Sequence, residues 1–417
     1  KSLTNRALVL AALADAPSVV RRALRSRDTL LMAQALTAMG AVVDTSGPDW
    51  SVTPLASSPL TAPAAVDCGL AGTVMRFVPP LAGLVRGEVA FDGDPHMRNR
   101  PVGVVLDALS ALGMSIDDTS SGDPGALPFT VHGTGSVSGG AVEVDASNSS
   151  QFVSALLLVG ARFDHGVDIR HVGAPIPSQP HIDMTVAMLR ERGVVVDDSQ
   201  PNRWSVAPGP IAAHDSSIEP DLSNAAPFLG LAAVTGGSVT VRDWPTATTQ
   251  AGDALRDLLA RMGCTVERVT DGLRVTGPSG GHRGLRGLEA DLHDVGELSP
   301  CIAALCAVAQ TPSRLTGIAH IRGHETDRLA ALARELGDLG ADVDEHPDGL
   351  TLRPAPLTGG VFHTYADHRM AHAGVIVGAA VPGVLVEDVA TTGKTFPDFA
   401  GFWSGLFAAT AAQSTGD

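Results

Sequence analysis

The stretch ALRDLLARMGCTVE, residues 254–267, decides the fold class of this chain. Leu and Met recur in it at spacings of three and four, which predicts an amphipathic helix. A glycine then ends the helix in the left-handed conformation that glycine favours. β-branched residues follow on both sides of Asp271-Gly272, a pair typical of hairpin turns. The stretch therefore predicts a helix followed by a β-hairpin.

The same layout recurs four more times. The related stretches read LMAQALTAMGAVVD, VVLDALSALGMSID, MTVAMLRERGVVVD and LARELGDLGADVD. The glycines that end the five helices are Gly40, Gly113, Gly193, Gly263 and Gly340, separated by 73, 80, 70 and 77 residues. Strand patterns precede several of these helices, so each repeat is approximately strand, loop, helix, strand, strand. The chain is therefore predicted to be an α/β protein built from internal repeats.

The repeats predict two domains of about three copies each, because one copy alone cannot bury both its helix and its sheet. The helices would lie inside with the sheets around them. A polar stretch, AHDSSIEPD, separates the third copy from the fourth. We therefore expect an N-terminal domain over residues 1–219 and a C-terminal domain over residues 220–417.

Composition excludes several classes of function. The 417 residues include 29 Lys and Arg against 45 Asp and Glu, a formal net charge of −16 that opposes binding to nucleic acid or anionic membranes. The longest apolar run, residues 373–386, is shorter than the roughly 20 residues of a membrane span. The four cysteines show neither metal-ligand nor disulfide-framework spacing, so no metal site is predicted. No signal peptide is visible, and a cytoplasmic protein is expected.

The unusual residues gather in the loops that precede the predicted helices. Only two basic residues are lysines, Lys1 and Lys394, and the single tyrosine is Tyr365; all three lie in these loops. Helix N-termini flanked by Arg and Lys bind phosphate and carboxylate groups. The sequence therefore predicts one or two polyanionic small molecules bound in a cleft between the domains.

Each of these stretches also has a purely structural interpretation. SSQ at residues 149–151, TDR at 326–328 and DHR at 367–369 are all typical of helix starts. Arg322, Glu325 and the arginine of TDR are spaced three apart, which would place a carboxylate between two guanidiniums on one side of a helix.

Together the stretches resemble the 5-enolpyruvylshikimate-3-phosphate synthases, a branch of the enolpyruvyl transferase family. KSLTNRAL, LAGTVMRF, RPVG, SSQF, HETDRL, YADHRMA and GKTFPDF occur in the family's order and span essentially the whole chain. The resemblance implies a two-domain inside-out α/β assembly, with three βαβαββ repeats per domain and buried helices. It implies a transferase of the shikimate pathway that moves the enolpyruvyl group of phosphoenolpyruvate to the 5-hydroxyl of shikimate-3-phosphate and releases phosphate. No metal or organic cofactor is implied, and a monomer sensitive to glyphosate is expected.

The resemblance also implies which residues form the site. Shikimate-3-phosphate would contact Lys1, Ser2, Arg6, Ser149, Ser150, Gln151, Ser178, Glu297, His320 and His324. Phosphoenolpyruvate would contact Lys1, Gly72, Arg100, Gln151, Arg328, Arg369 and Lys394. The implied catalytic residues are Glu297, Glu325, Lys1 and Lys394. Glu297, with Lys1, would be the base at the 5-hydroxyl, and Glu325 would protonate the methylene carbon. The arginines near Glu325 favour its ionised form, which argues against that last role.

Several positions depart from the commonest pattern of the family. His324 stands where a lysine is frequent, so the charge at this position becomes pH-dependent. The other departures are His181 for tyrosine, Leu70 for asparagine, Phe77 for proline and Glu297 for aspartate. The family also has a Gly-Ser pair and a strand before the lysine, whereas this sequence opens at Lys1, so an unpaired sheet edge is expected in the second domain.

Two alternatives remain open from the sequence. The first is an enolpyruvyl transferase acting on UDP-N-acetylglucosamine, which usually carries a loop cysteine before its RP pair; residues 94–100 contain none. The second is a truncated, noncatalytic anion-binding relative, against which the combination of Glu297, Glu325, Lys394 and Arg100 counts.

Overall fold

The structure is a computed structural model that describes residues 1–55, 60, 62–118 and 125–414. The chain divides into two compact units, Lys1–Glu219 and Pro220–Asp417, here called unit 1 and unit 2. Helices and strands are interleaved along both units, which confirms the predicted α/β class. Among the described helices, none has the length and apolar character that crossing a bilayer requires.

Unit 1 interleaves helices with short strands. Its helices are α1 (Ser2–Ala12), α2 (Arg27–Ala38), α3 (Gly72–Phe77), α4 (Pro79–Ala82), α5 (Gly103–Ala111), α6 (Gln151–Gly160) and α7 (Pro180–Arg190). Its strands are β1 (Ser18–Arg21), β2 (Val42–Asp44), β3 (Trp50–Thr53), β4 (Ala64–Asp67), β5 (Arg86–Asp92), β6 (Ser115–Asp118), β7 (Phe129–Thr134), β8 (Gly140–Val144), β9 (Val167–His171), β10 (Val196–Asp197), β11 (Arg203–Val206) and β12 (Ser216–Ser217).

The strands of unit 1 form sheets of one shared topology. The strand orders are β12-β1-β3-β2, β4-β5-β7-β6 and β10-β11-β9-β8. In each sheet one outer pair is parallel, namely β12 with β1, β4 with β5 and β8 with β9, and the other pairs are antiparallel. The internal repeat seen in the sequence is therefore a repeat of one sheet topology.

Unit 2 uses the same elements. Its helices are α8 (Leu222–Thr235), α9 (Leu255–Arg261), α10 (Ser299–Ala307), α11 (Arg328–Asp338), α12 (His368–Ala380) and α13 (Phe399–Ser414). Its strands are β13 (Ser238–Arg242), β14 (Thr265–Val269), β15 (Gly272–Thr276), β16 (Glu289–Asp291), β17 (Ser313–Thr316), β18 (Asp342–His346), β19 (Gly349–Arg353), β20 (Gly360–Phe362) and β21 (Val384–Val386).

The sheets of unit 2 are less uniform than those of unit 1. Over the described residues, the order β16-β17-β19-β18 repeats the four-stranded topology, with β16 parallel to β17. The sheet β13-β15-β14 has three antiparallel-paired strands, and β20 and β21 form the parallel pair alone. The predicted hairpin at Asp271-Gly272 is confirmed, because β14 and β15 pair directly across it.

The five glycines that were predicted to end the amphipathic helices do so in the left-handed region. Their φ values are 103° at Gly40, 97° at Gly113, 74° at Gly193, 102° at Gly263 and 98° at Gly340. A side chain at these positions would be strained, because L-residues other than glycine rarely adopt such φ values. Each of these five copies of the repeat therefore has a position whose backbone conformation favours glycine, and the sequence has glycine there.

Two kinds of helix build the cores. α2, α5, α7, α9 and α11 bury one face, whereas α6 and α10 bury nearly every residue. α1, α8 and α12 are also mostly buried. These central helices are surrounded by the other elements of their own unit, as predicted. The N-terminal ends of α1, α6 and α12 carry several of the residues that the sequence singled out.

Candidate active site

The start of α1 places two predicted site residues beside a buried carboxylate. Lys1 lies immediately before α1, and its Nζ is 3.3 Å from Oδ2 of Asp28, whose side chain is 1% exposed. Ser2 is the first residue of the helix. The ammonium of Lys1 and this carboxylate therefore form an ion pair at the N-terminal end of α1.

Arg6 connects the starts of two helices. It is buried, and its Nε donates to Thr185 Oγ1 at 2.7 Å in α7. Its Nη2 donates to the backbone oxygen of His181 at 3.0 Å, and Nη1 donates to the backbone oxygen of Ser2 at 3.2 Å. The N-terminal ends of α1 and α7 are thus held within reach of one guanidinium.

The first turn of α6 presents small hydroxyls rather than a side-chain cap. Ser150 is buried and occupies the N-cap position, but its hydroxyl makes no capping hydrogen bond. Ser149 Oγ accepts from the Gln151 backbone N at 3.3 Å. Ser178, just before α7, has a φ of +57°, which is uncommon for a residue with a side chain. The structural interpretation of SSQ is correct for its position, but the cap itself is not made by the Ser150 side chain.

Two guanidiniums meet at the first residue of α3. A Cβ placed on Gly72 would lie 3.0 Å from Arg76 Nη1 and 3.2 Å from Arg100 Nη1. Arg76 donates to Gln151 Oε1 at 2.9 Å and to the Pro101 backbone oxygen at 3.0 Å. It therefore links α3, α6 and the segment that carries Arg100. Gly72 keeps the backbone open to both cations, which is the geometry of an anion site.

In unit 2, Arg328 is the centre of a buried charge network. Its Nε and Nη2 donate to Asp367 at 2.7 and 3.1 Å, and Nη2 also donates to Glu325 Oε2 at 2.8 Å. Burial opposes the charge, but Asp367 and Glu325 outweigh it and raise the pKa of Arg328 above its usual value. Its Nη1 donates to His324 Nδ1 at 2.8 Å. That nitrogen can only accept from a guanidinium, so this arrangement holds His324 with Nδ1 unprotonated.

Glu325 contacts a second cation, which differs from the one expected. The spacing predicts Arg322 and Arg328 on either side of Glu325 along a helix, and this prediction is wrong because α11 begins only at Arg328. Arg322 instead pairs with Asp327 at 2.9 Å and with another carboxylate on β18. The second cation at Glu325 is Lys394, whose Nζ contacts Oε1.

Glu297 and Arg369 extend the network. Arg369 is buried, and its Nη2 donates to Glu297 Oε2 at 3.1 Å. Its Nη1 donates to the Ser223 backbone oxygen at 2.8 Å, and its backbone N donates to Asp367 Oδ1 at 2.8 Å. Arg328 and Arg369 are therefore both anchored on Asp367. The structure brings Glu297, Glu325, Arg328, Arg369 and Lys394 of the predicted set together within unit 2.

His320 lies beside this network as a partly buried, neutral side chain. Burial, His293 and Arg328 lower the pKa of His320 to about 4. Its ring is 5.9 Å from that of His293 and 6.1 Å from that of His324, centroid to centroid. At neutral pH His320 is therefore not a cation.

Three residues of this arrangement have no role in the sequence prediction. They are Asp28, Arg76 and Asp367. Asp28 pairs with Lys1, and Arg76 donates to Gln151. Asp367 accepts from the Arg328 side chain and from the Arg369 backbone. Arg76 and Asp367 lie inside stretches already noted, so a signal for them was present. The two helix-start interpretations also hold, since Asp327 caps α11 and Asp367 caps α12. Structural capping and site chemistry thus use the same side chain at residue 367.

The chain resembles known proteins over nearly its whole length. The family model described as EPSP synthase (3-phosphoshikimate 1-carboxyvinyltransferase) matches residues 1–403. A Kocuria rhizophila protein named 3-phosphoshikimate 1-carboxyvinyltransferase is 55% identical over 415 aligned residues, covering 97% of this chain and 92% of the relative.

Solved structures share the fold. An EPSP synthase from Acinetobacter baumannii superposes with a TM-score of 0.77 at 23% identity, covering 96% of this chain and 92% of that one. The enolpyruvyl transferase NikO from Streptomyces tendae superposes with a TM-score of 0.72 at 17% identity, covering 96% and 91%. At these identities the structural likeness shows the fold alone.

Proposed function

This chain belongs to the EPSP synthase family, and on that premise we propose that it transfers the enolpyruvyl group of phosphoenolpyruvate to the 5-hydroxyl of shikimate-3-phosphate. The reaction releases phosphate and belongs to the shikimate pathway. The observation that carries the proposal is the network of unit 2, in which Glu325 contacts both Arg328 and Lys394. A carboxylate held by two cations supplies an acid–base group next to sites for anions.

Phosphoenolpyruvate carries a phosphate and a carboxylate, and we assign its binding to Lys1, Gly72, Arg100, Gln151, Arg328, Arg369 and Lys394. Arg328 and Arg369 support the assignment because both guanidiniums are fixed by carboxylates before any ligand arrives. A fixed guanidinium loses little freedom when it binds an anion through two parallel hydrogen bonds. Gly72 supports it from unit 1, because it leaves room beside two guanidiniums.

We assign to Glu325 the protonation of the methylene carbon of phosphoenolpyruvate. In the absence of substrate its two cationic partners favour the ionised carboxylate. A bound phosphate and carboxylate would draw on the same cations and add negative charge nearby, and both effects favour protonation of Glu325. Substrate binding would therefore create the acid that the first step needs.

The base at the 5-hydroxyl is best assigned to Glu297. Its carboxylate is ion-paired with Arg369 and 28% exposed, so a substrate hydroxyl can reach it. Lys1 is ion-paired with Asp28, and we assign to it the stabilisation of charge on the substrates. Glu297 takes the proton of the 5-hydroxyl as its oxygen bonds to C2 of phosphoenolpyruvate, and Glu325 protonates C3, the methylene carbon. The resulting tetrahedral intermediate then collapses. Collapse returns the proton from the new methyl group to Glu325 and expels phosphate.

Shikimate-3-phosphate is assigned to Lys1, Ser2, Arg6, Ser149, Ser150, Gln151, Ser178, Glu297, His320 and His324. The starts of α1, α6 and α7 support the phosphate end of this assignment, because the positive end of a helix dipole favours anions. His320 would act as a neutral hydrogen-bonding group, since its pKa lies near 4.

A coupled phosphate-release assay tests the proposed function. We expect release only when phosphoenolpyruvate and shikimate-3-phosphate are both present. Release with UDP-N-acetylglucosamine in place of shikimate-3-phosphate would assign the chain to the other branch of the family. Binding of both anions without any release would leave an anion-binding protein instead.

Family membership also supports a cytoplasmic enzyme that works as a monomer. Size-exclusion chromatography with light scattering tests the second point, and a mass near the 42.7 kDa of the chain is expected.

A further inference from the structure

Glu335 is a buried carboxylate in α11 that no step of the proposed reaction uses. Its side chain is 0% exposed. Oε1 accepts from the Tyr365 hydroxyl at 2.6 Å, and Oε2 accepts from the His363 backbone N at 2.8 Å. A buried carboxylate is costly unless its oxygens are hydrogen-bonded, so these two donors define where it rests. Both donors belong to the short segment between β20 and α12.

The backbone of that segment is strained. Tyr365 and Ala366 both have a φ of +54°, in the left-handed region that residues with side chains rarely occupy. Such a conformation persists when surrounding contacts hold it. The hydrogen bond from Tyr365 to Glu335 ties the first of these two residues to α11. Burial and the Glu335 carboxylate raise the pKa of Tyr365 to about 12, so the hydroxyl remains a donor at neutral pH.

The strained residues directly precede Asp367, to which Arg328 and Arg369 both donate hydrogen bonds. Asp367 follows Ala366, and its backbone N donates to the Thr364 oxygen at 2.8 Å. Its carboxylate accepts from Arg328 and from the Arg369 backbone. Arg328 and Glu335 are seven residues apart on α11, which places them on one face of the helix. That face therefore holds the segment at two points, through Asp367 and through Tyr365.

We propose that Glu335 and Tyr365 form a brace that positions Arg328 and Arg369 to bind phosphoenolpyruvate. The inference rests on the proposed function, because these two arginines are assigned there to that substrate. Both members of the brace are positioning residues, since they act through Asp367. If the brace is lost, the segment can relax and Asp367 shifts. The Arg328 guanidinium then loses the position of its main partner, and the first turn of α12, which carries Arg369, moves with Asp367. Binding of phosphoenolpyruvate should then suffer more than the chemistry that follows.

Tyr365→Phe is the direct test, because it removes the donor while leaving the ring. We expect KM for phosphoenolpyruvate to rise about tenfold, as for the loss of one charge-assisted hydrogen bond. KM for shikimate-3-phosphate and kcat should stay within about threefold of the unchanged enzyme. A purely structural loss would not separate the two substrates in this way.

Thr351→Val is the matched control. It also removes one hydroxyl from unit 2, where Thr351 lies 2.8 Å from His346 Nε2 on neighbouring strands. It should leave both KM values unchanged. Glu335→Gln is the second test, since it keeps the shape of the side chain and one acceptor oxygen. Its KM for phosphoenolpyruvate should also rise, and adding it to Tyr365→Phe should raise KM by less than the product of the single effects.

The outcomes are distinct. A folded Tyr365→Phe enzyme with an unchanged KM for phosphoenolpyruvate, or with equal rises for both substrates, overturns the brace. If Tyr365→Phe melts below the assay temperature, Glu335→Gln decides by the same criterion. Inactivity of the unchanged protein with both substrates contradicts the proposed function, and the thermal shift that phosphoenolpyruvate alone gives each variant then decides on the brace.

Discussion

At the scale of single residues, Glu325 has the most demanding assignment. Its carboxylate lies between Arg328 and Lys394, which favour the ionised form, yet the assigned step requires a proton. The assignment is consistent only if the anionic groups of bound substrate pair with Arg328 and Lys394 and so weaken their effect on Glu325. The role of Glu325 is therefore a property of the occupied site rather than of the carboxylate alone.

Glu325→Gln should lower kcat by about a hundredfold or more, because an amide cannot supply the proton. Binding of shikimate-3-phosphate, measured by calorimetry, should change by less than about threefold. Glu345→Gln is the control, since Glu345 pairs with Arg322 at 2.7 Å and has no assigned role in the reaction. Equal losses in kcat and in shikimate-3-phosphate affinity would remove the catalytic assignment of Glu325.

Lys394→Ala should act mainly on phosphoenolpyruvate. Removing a buried cation that is assigned to its phosphate should raise KM for this substrate at least tenfold, and Lys394→Arg should restore part of the loss by keeping the charge. Steady-state kinetics with each substrate varied in turn measure the difference. An unchanged KM for phosphoenolpyruvate in Lys394→Ala would contradict the assignment.

The absence of a side chain at Gly72 predicts that the enzyme is inhibited by glyphosate. Because Gly72 has no side chain beside the Arg76 and Arg100 guanidiniums, glyphosate should compete with phosphoenolpyruvate in steady-state inhibition. Gly72→Ala puts a methyl group 3.0–3.3 Å from those nitrogens, so the guanidiniums must move and inhibition should weaken. Insensitivity of the unchanged enzyme would show that this loop does not bind the anion.

At the scale of elements, α12 has two features of interest. Its N-terminal residues belong to the candidate site, and its buried part includes a histidine. Asp367 caps the helix, and one turn later the buried His372 ring packs against Phe399, with ring centroids 5.0 Å apart and planes tilted by 35°. Within the described part of the chain, neither ring nitrogen of His372 has a hydrogen-bond partner. Burial, followed by Arg369, lowers the pKa of His372 well below its usual value.

This shift predicts how stability depends on pH. Below about pH 6.5 the unfolded chain protonates His372 while the folded chain does not, so stability is full above that pH and falls as the pH decreases. The free energy of unfolding should be lower at pH 5 than at pH 7. His372→Leu should therefore show a smaller drop in melting temperature between pH 7 and pH 5.

His165→Gln is the control for that measurement, because His165 is an exposed histidine of unit 1. Its melting temperature should follow that of the unchanged protein across the same pH range. If His372→Leu loses as much stability on acidification as the unchanged protein does, the buried histidine is not the group responsible.

At the scale of the whole molecule, the net charge affects the binding of large and small anions differently. A formal net charge of −16 opposes long polyanions such as nucleic acid, whose binding depends on the field over a large surface. Small anions respond to local charge instead. Arg328, Arg369 and Lys394 lie together in unit 2 with carboxylates that fix them, so an acidic protein can still present a cationic site.

The sequence by itself determined the α/β class and the repeat, and it proposed most members of the candidate site. The glycine ends of the helices and the caps at Asp327 and Asp367 depend on φ preferences and hydrogen bonds within a few residues, which local sequence encodes. The motifs identified the family because their order along the chain is a one-dimensional property.

Only the tertiary structure decided which of these residues contact one another. Glu325 meets Lys394 across 69 positions, and Glu297 meets Arg369 across 72. The spacing of Arg322 predicted a different partner for Glu325, and it failed because no helix runs through residues 322–328. Contacts over such separations depend on how buried helices pack against one another. Packing depends on side-chain volumes and burial in the whole unit, which the spacing of a few residues along the chain does not contain.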